Sequence, residues 1–117
     1  MINGAHVILY SRDAEADRAF FRDVLRYPYV DAGHGWLIFK APPTELAMHP
    51  TDDAPSCDLY LMCDDLAATT EDLVAHNVEI TKSPESAGWG LVTAFRLPGG
   101  GEVGLYQPRH PRATDLP

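Results

Sequence analysis

The predicted strands and helices of this chain occur twice in the same order, and this internal repeat limits the possible folds more than any other feature. Three pairs of segments match along the chain: residues 6–10 with 58–62, residues 39–42 with 95–98, and residues 45–48 with 102–105. Several matches in one order favour a duplicated unit over chance. A unit of about fifty residues has too little core to be stable alone, so both copies must share one domain. We predict a single domain over residues 1–117, made of module one (about 4–50), a polar linker (51–56), module two (about 57–108) and a loosely held tail (109–117).

Module one is predicted to contain one helix among short strands. Asp13 is the expected N-cap of the helix, which carries apolar residues on one face and polar residues, including Asp17, on another. Pro28 ends the helix, because the residue before a proline avoids the helical region. Runs rich in β-branched and aromatic residues predict strands over residues 5–11, 29–31, 36–40 and 45–49.

Module two repeats this order of elements. Its helix is capped by Asp64 or Asp65 and is expected to turn Leu66, Leu73 and Val74 inward. Strands are predicted over residues 58–63, 78–80, 89–96 and 102–107, with a loop over residues 83–87.

The charge of the chain excludes several classes of partner. Nine Lys and Arg residues against 17 Asp and Glu residues give a formal net charge of −8. Because an acidic surface repels phosphate groups, we expect neither nucleic acid nor a membrane as a partner. We find no apolar run of membrane-spanning length and no signal peptide, which predicts a cytoplasmic location. Cys57 and Cys63 would lie about 20 Å apart in one extended strand, too far for a disulfide, so both are expected to be reduced.

Three segments carry a resemblance to a known superfamily. They are the opening strand at residues 5–11 with its helix, the strand and helix start at residues 59–66, and the closing turn and strand at residues 97–106. In this order and spacing they resemble the vicinal oxygen chelate superfamily, which includes glyoxalase I, extradiol dioxygenases and bleomycin resistance proteins. The resemblance implies an α+β fold in which two tandem βαβββ modules form a curled mixed sheet around a cleft. It also implies a homodimer.

The resemblance further implies one divalent metal ion, Fe, Mn, Ni or Zn, held by the first and last strands of each module. The four corresponding positions here are His6, Ala47, Asp58 and Gly104. Ala47 and Gly104 have no ligating side chain, so the site is incomplete. His49 shares the strand face of Ala47, and a set of His6, His49 and Asp58 would match a two-histidine, one-carboxylate site in ligand type. A shift of one residue would instead turn Cys57 toward the cleft.

Two functions follow from this resemblance. The first is a metal-free protein that binds and sequesters a small molecule, for which an acidic surface favours cationic ligands. The alternative is a metal-dependent lyase, isomerase or extradiol-type dioxygenase acting on a small oxygen-rich substrate, with Tyr60 or Tyr106 as a hydrogen-bond donor. We predict no cofactor for the first and one divalent metal ion for the second. The predicted cleft is lined by Trp36, Phe39, His49, Tyr60, Trp89, Phe95 and Tyr106.

Overall fold

A computed structural model describes residues 6–117, and in this range two α-helices and six strands form two sheets. The elements are α1 (Ala14–Asp23), β1 (Tyr29–Asp31), β2 (Leu37–Phe39), β3 (Tyr60–Met62), α2 (Leu66–Ala75), β4 (Ile80–Ala87), β5 (Gly90–Arg96), β6 (Glu102–Pro108) and a short 3-10 helix (Ala113–Asp115). The predicted α+β class is therefore confirmed. No helix of this described range has both the length and the apolar character needed to cross a membrane.

Both α-helices begin at an aspartate cap. The side chain of Asp13 accepts a hydrogen bond of 3.0 Å from the backbone N–H of Ala16. Asp65, rather than Asp64, makes the equivalent bond of 3.0 Å with the N–H of Ala68. Each bond satisfies a backbone donor that has no partner within its helix.

The larger sheet has the strand order β3-β6-β5-β4. β3 pairs parallel to β6, with Tyr60 opposite Gly104, while the other neighbours are antiparallel. The chain order β3, α2, β4, β5 and β6 reproduces the predicted order of module two. In module one, β1 and β2 form an antiparallel hairpin next to α1 in sequence.

One face of the larger sheet holds the core. The buried side chains of this core are Phe20, Leu66, Leu73, Phe95, Leu97, Val103 and Leu105. Because side chains alternate along a strand, burying Val103 and Leu105 places Gly104 and Tyr106 on the opposite face of β6. We call this opposite face, which carries no helix of the core, the open face.

Two predicted strands of module one are absent from the described range. Residues 6–11 and residues 45–49 are in no strand, and Val7 and Leu46 are exposed. Residue 5, the first of the predicted strand over 5–11, lies outside the described residues. Both segments contain a short run of apolar residues, but a strand also needs a paired neighbour, and the structure gives neither segment one.

Module two also differs from expectation in several places. Of the strand predicted over residues 78–80, the structure has Ile80 alone in a strand, as the first residue of β4. The predicted loop over residues 83–87 is wrong, because these residues are part of β4 and pair with β5. The register shift between Lys82 and Glu85 accommodates Pro84, which would otherwise interrupt the pairing. Val74, expected inward, is exposed. The strand predicted over residues 58–63 shortens to β3, three residues that pair with β6.

Asp17 is the other exception to the predicted helix faces. It is buried rather than solvated, and its Oδ1 accepts a hydrogen bond of 2.7 Å from the N–H of Gly99. Arg12 donates from its backbone N–H to the carbonyl of the same glycine at 3.2 Å. These bonds fasten the start of α1 to the turn between β5 and β6, and thus module one to module two.

Candidate functional site

Three aromatic side chains meet on the open face of the larger sheet. Tyr60 comes from β3, Trp89 from the turn between β4 and β5, and Tyr106 from β6. Their ring centroids lie 5.0 Å (Trp89 to Tyr106), 6.0 Å (Tyr60 to Tyr106) and 6.1 Å (Tyr60 to Trp89) apart, all edge to face. Tyr60 stays 42% and Trp89 40% exposed. We call these three residues, all predicted to line the cleft, the aromatic cluster.

Backbone pairing fixes the members of the aromatic cluster. The parallel pairing of β3 with β6 sets Met62 opposite Tyr106, two residues beyond the pair of Tyr60 and Gly104. The carbonyl of Trp89 accepts a hydrogen bond of 2.9 Å from the N–H of Arg109. The exposed parts of the Tyr60 and Trp89 rings give this face an apolar surface that a ligand can reach.

A shallow hollow of about 100 Å³ adjoins the aromatic cluster on the same face. Its charged residues are Asp58, Lys82 and Glu102, and Tyr60 forms its boundary with the cluster. Lys82 lies 3.5 Å from Glu102, so two of these charges are paired. The hollow is too small for more than part of a ligand, because ligand pockets usually enclose several hundred Å³.

The ring of Tyr60 covers Gly104, one of the four positions where the resemblance places a metal ligand. A Cβ atom at Gly104 would lie 2.8 Å from Cγ of Tyr60 and closer still to two further ring atoms. Such a contact is far inside van der Waals distance. Position 104 therefore has no ligating side chain, and the space for one is filled.

The proposed metal-ligand residues are not brought together. His6, His49 and Asp58 are all exposed, as is Cys57, the alternative to Asp58. Within residues 6–117 no three His, Cys, Asp or Glu side chains are close enough to hold a metal ion. The residues present do not fit a divalent metal, and we derive no reaction step through one.

The other predicted cleft residues lie away from the aromatic cluster. Phe95 is 0% exposed in the core, because its position on β5 falls on the core face. Phe39 packs in module one, with its ring centroid 5.7 Å from that of Phe21. Trp36 is 63% exposed, and the guanidinium carbon of Arg18 lies 4.4 Å from its ring centroid. Trp36 and Trp89 each follow a glycine in their own half of the chain, but of the two it is Trp89 that contacts Tyr60 and Tyr106.

A polar network missed by the sequence reasoning adjoins Tyr106. The Tyr106 hydroxyl donates to Oε1 of Glu45 at 3.3 Å, and the hydroxyl lies 3.4 Å from Nε2 of His110. The other oxygen of Glu45 accepts a hydrogen bond from the N–H of Ala113. Burial raises the pKa of the Tyr106 hydroxyl, and the charge of Glu45 raises this pKa further. Part of the tail, expected to be loosely held, is thus bonded to the site.

No sequence signal pointed to this network. Glu45 stood out only as the repeat partner of Glu102, and the tail around His110 has no periodicity. Both residues reach Tyr106 through contacts between distant segments, which a pattern of neighbouring residues does not record.

A sequence model of the Glyoxalase/Bleomycin resistance protein/Dioxygenase superfamily matches residues 4–105. A search of curated proteins found no match. Among solved structures, the chain is similar to TnmS3, an antibiotic binding protein from Streptomyces sp. CB03234, with 24% identity, a TM-score of 0.63, and coverage of 92% of this chain and 99% of that one. A lactoylglutathione lyase from Agrobacterium tumefaciens has 18% identity, a TM-score of 0.63, and coverage of 90% and 92%.

A glyoxalase/bleomycin resistance protein from Streptomyces sp. CB03234 has 25% identity, a TM-score of 0.56, and coverage of 81% of this chain and 91% of that one. The antibiotic binding protein and the lyase have the same TM-score to this chain. At these identities each shows a shared fold, and the fold does not separate binding from catalysis.

Proposed function

Because the chain belongs to the Glyoxalase/Bleomycin resistance protein/Dioxygenase superfamily, we propose that it binds a small molecule on the aromatic cluster and holds it without a metal ion and without chemistry. The observation that carries this proposal is the ring of Tyr60 over Gly104. One aromatic ring fills the space of a metal ligand and also forms part of a ligand-binding surface. A larger side chain at position 104 would clash with the Tyr60 ring in its present place.

The surface chemistry supports an aromatic, cationic ligand. The exposed rings of Tyr60 and Trp89 offer a planar ligand a stacking surface. The formal net charge of −8 attracts cations to the molecule. An antibiotic binding protein among the solved structures of similar fold is in keeping with this reading.

The proposal is tested by binding of proflavine, a planar aromatic cation, to metal-free protein in a calorimeter. Replacing Trp89 by Ala removes one wall of the cluster, and we expect the Kd to rise about tenfold, since stacked aromatic contacts are worth about 1 kcal/mol or more. The matched control is Trp36→Ala, which removes an exposed tryptophan that is not part of the cluster. We expect that variant to bind within about twofold of the parent protein.

Several results would overturn the proposal. One is a Kd that responds equally to the two tryptophan replacements. Another is stoichiometric Fe, Mn, Ni or Zn in protein purified without chelator and lost on His6→Ala, which would favour the metal-dependent lyase, isomerase or dioxygenase. Turnover of the glutathione hemithioacetal of methylglyoxal would favour the lyase directly.

We also propose that the protein is a homodimer, as the superfamily resemblance implies. The support is the exposure of apolar side chains in residues 6–10 and 45–49, including Ile8 and Met48. Contiguous exposed apolar surface in a small protein commonly marks an interaction site. A second copy that covers these segments would bury them.

A further inference from the structure

We propose that the carboxylate of Glu45 binds the positive charge of the ligand, a protonated or quaternary amine whose aromatic part lies on the aromatic cluster. This inference rests on the proposed binding function and specifies the ligand class. It assigns a binding role to a residue outside the strands of the sheet.

The position of Glu45 places a negative charge at the edge of the aromatic cluster. Its Oε1 lies 3.3 Å from the Tyr106 hydroxyl, and the Tyr106 ring centroid is 5.0 Å from that of Trp89. A cation bound here would touch a carboxylate and a ring face together. Those are the two groups that attract an organic cation most strongly.

The carboxylate is held in place but keeps capacity for a ligand. The Tyr106 hydroxyl and the N–H of Ala113 each donate to one of its oxygens. A carboxylate accepts about four hydrogen bonds, so both oxygens retain free lone pairs. The two protein donors fix its orientation before any ligand arrives.

The charge of Glu45 has no ion-pair partner in the described range. Between residues 6 and 117 no Lys, Arg or His nitrogen lies within 4.0 Å of its carboxylate. Arg112, whose charge lowers the pKa of the Tyr106 hydroxyl, pairs with Asp64 at 3.6 Å. Glu45 is also partly buried, and a partly desolvated anion gains more from a cation than an exposed one.

The test compares Glu45→Gln with Glu71→Gln, using proflavine and its neutral relative acridone as probes. Each substitution removes one negative charge, but Glu71 lies on the exposed side of α2, across the sheet from the aromatic cluster. We expect Glu45→Gln to raise the Kd for proflavine about fivefold and to leave acridone within about twofold. Glu71→Gln should leave both probes within about twofold.

Two further variants separate the possible failures. Glu45→Asp keeps the charge on a shorter side chain and should recover part of the proflavine affinity if the charge is what matters.

If Glu45→Gln and Glu71→Gln bind proflavine alike while Trp89→Ala weakens the binding of both probes, the role of Glu45 is wrong and the binding function stands. If the parent protein binds neither probe, the binding function is wrong and this inference falls with it. Equal loss of proflavine and acridone on Glu45→Gln would indicate a structural role and would also overturn the inference.

Discussion

At the scale of single residues, the contact between Tyr60 and Gly104 limits the size of the side chain that position 104 can carry. Replacing Gly104 by Ala should lower the free energy of unfolding by about 1–3 kcal/mol, because the new Cβ has to displace the Tyr60 ring. Urea denaturation measures the change. Gly101→Ala is the matched control, since a Cβ there would meet Leu97 at an ordinary 3.8 Å.

The same substitution in a Tyr60→Ala background measures how much of this loss of stability is due to the Tyr60 ring. There the cost of Gly104→Ala should fall below about 0.5 kcal/mol, because the two residues no longer compete for space. An equal cost in both backgrounds would show that the ring does not limit position 104.

The sequence was enough to show that position 104 has no metal-ligating side chain. It did not predict that the Tyr60 ring occupies the space beside Gly104. That contact depends on the parallel register of β3 and β6, which sets Tyr60 opposite Gly104. The sequence also named all three members of the aromatic cluster. The placement of Phe95 in the cleft is wrong. Successive residues of a strand face opposite sides of the sheet, and Phe95 faces the core.

At the scale of elements, a single buried carboxylate joins α1 to the turn between β5 and β6. Asp17→Ala should lower the free energy of unfolding by about 1–3 kcal/mol, because it leaves the N–H of Gly99 buried without its 2.7 Å partner. Thermal and urea unfolding give the value. Asp23→Ala, an exposed aspartate of the same helix, should change it by less than about 0.5 kcal/mol. Similar losses in the two variants would contradict a special role for Asp17.

The helix caps were predictable because an aspartate before an apolar, helix-period run satisfies backbone donors locally. Asp13 and one of the two candidates for the second helix were named on that ground. The extent of β4 was not predictable, because Pro84 is typical of loops and its place in a strand depends on a local register shift. Burial of Asp17 depends on a turn 82 residues away in sequence.

At the scale of the whole molecule, the two modules differ in how many of their predicted strands form. Module two forms a four-stranded sheet, whereas module one contributes α1 and a two-stranded hairpin. We expect a second copy to cover the exposed apolar residues of segments 6–10 and 45–49. Light scattering after size exclusion should give twice the chain mass of 12.9 kDa.

A charge in the proposed dimer surface tests it directly. Met48→Glu should shift the scattering mass toward one chain, because a carboxylate in an apolar interface is costly to bury. Val74→Glu is the control, as it changes an exposed apolar residue on α2. A parent protein that is monomeric at every concentration, or equal behaviour of the two variants, would contradict the dimer.

The ring of Tyr60 over Gly104 also constrains the order in which this chain could change during evolution. A lineage regaining a carboxylate at position 104 would first have to replace Tyr60 by a smaller residue, since the glutamate has no room beforehand. That first step removes a wall of the aromatic cluster, so under the proposed function the intermediate would lose ligand affinity before any metal site is gained. We therefore expect the two positions to be epistatic, and selection for the proposed ligand binding would keep the route to a metalloenzyme closed.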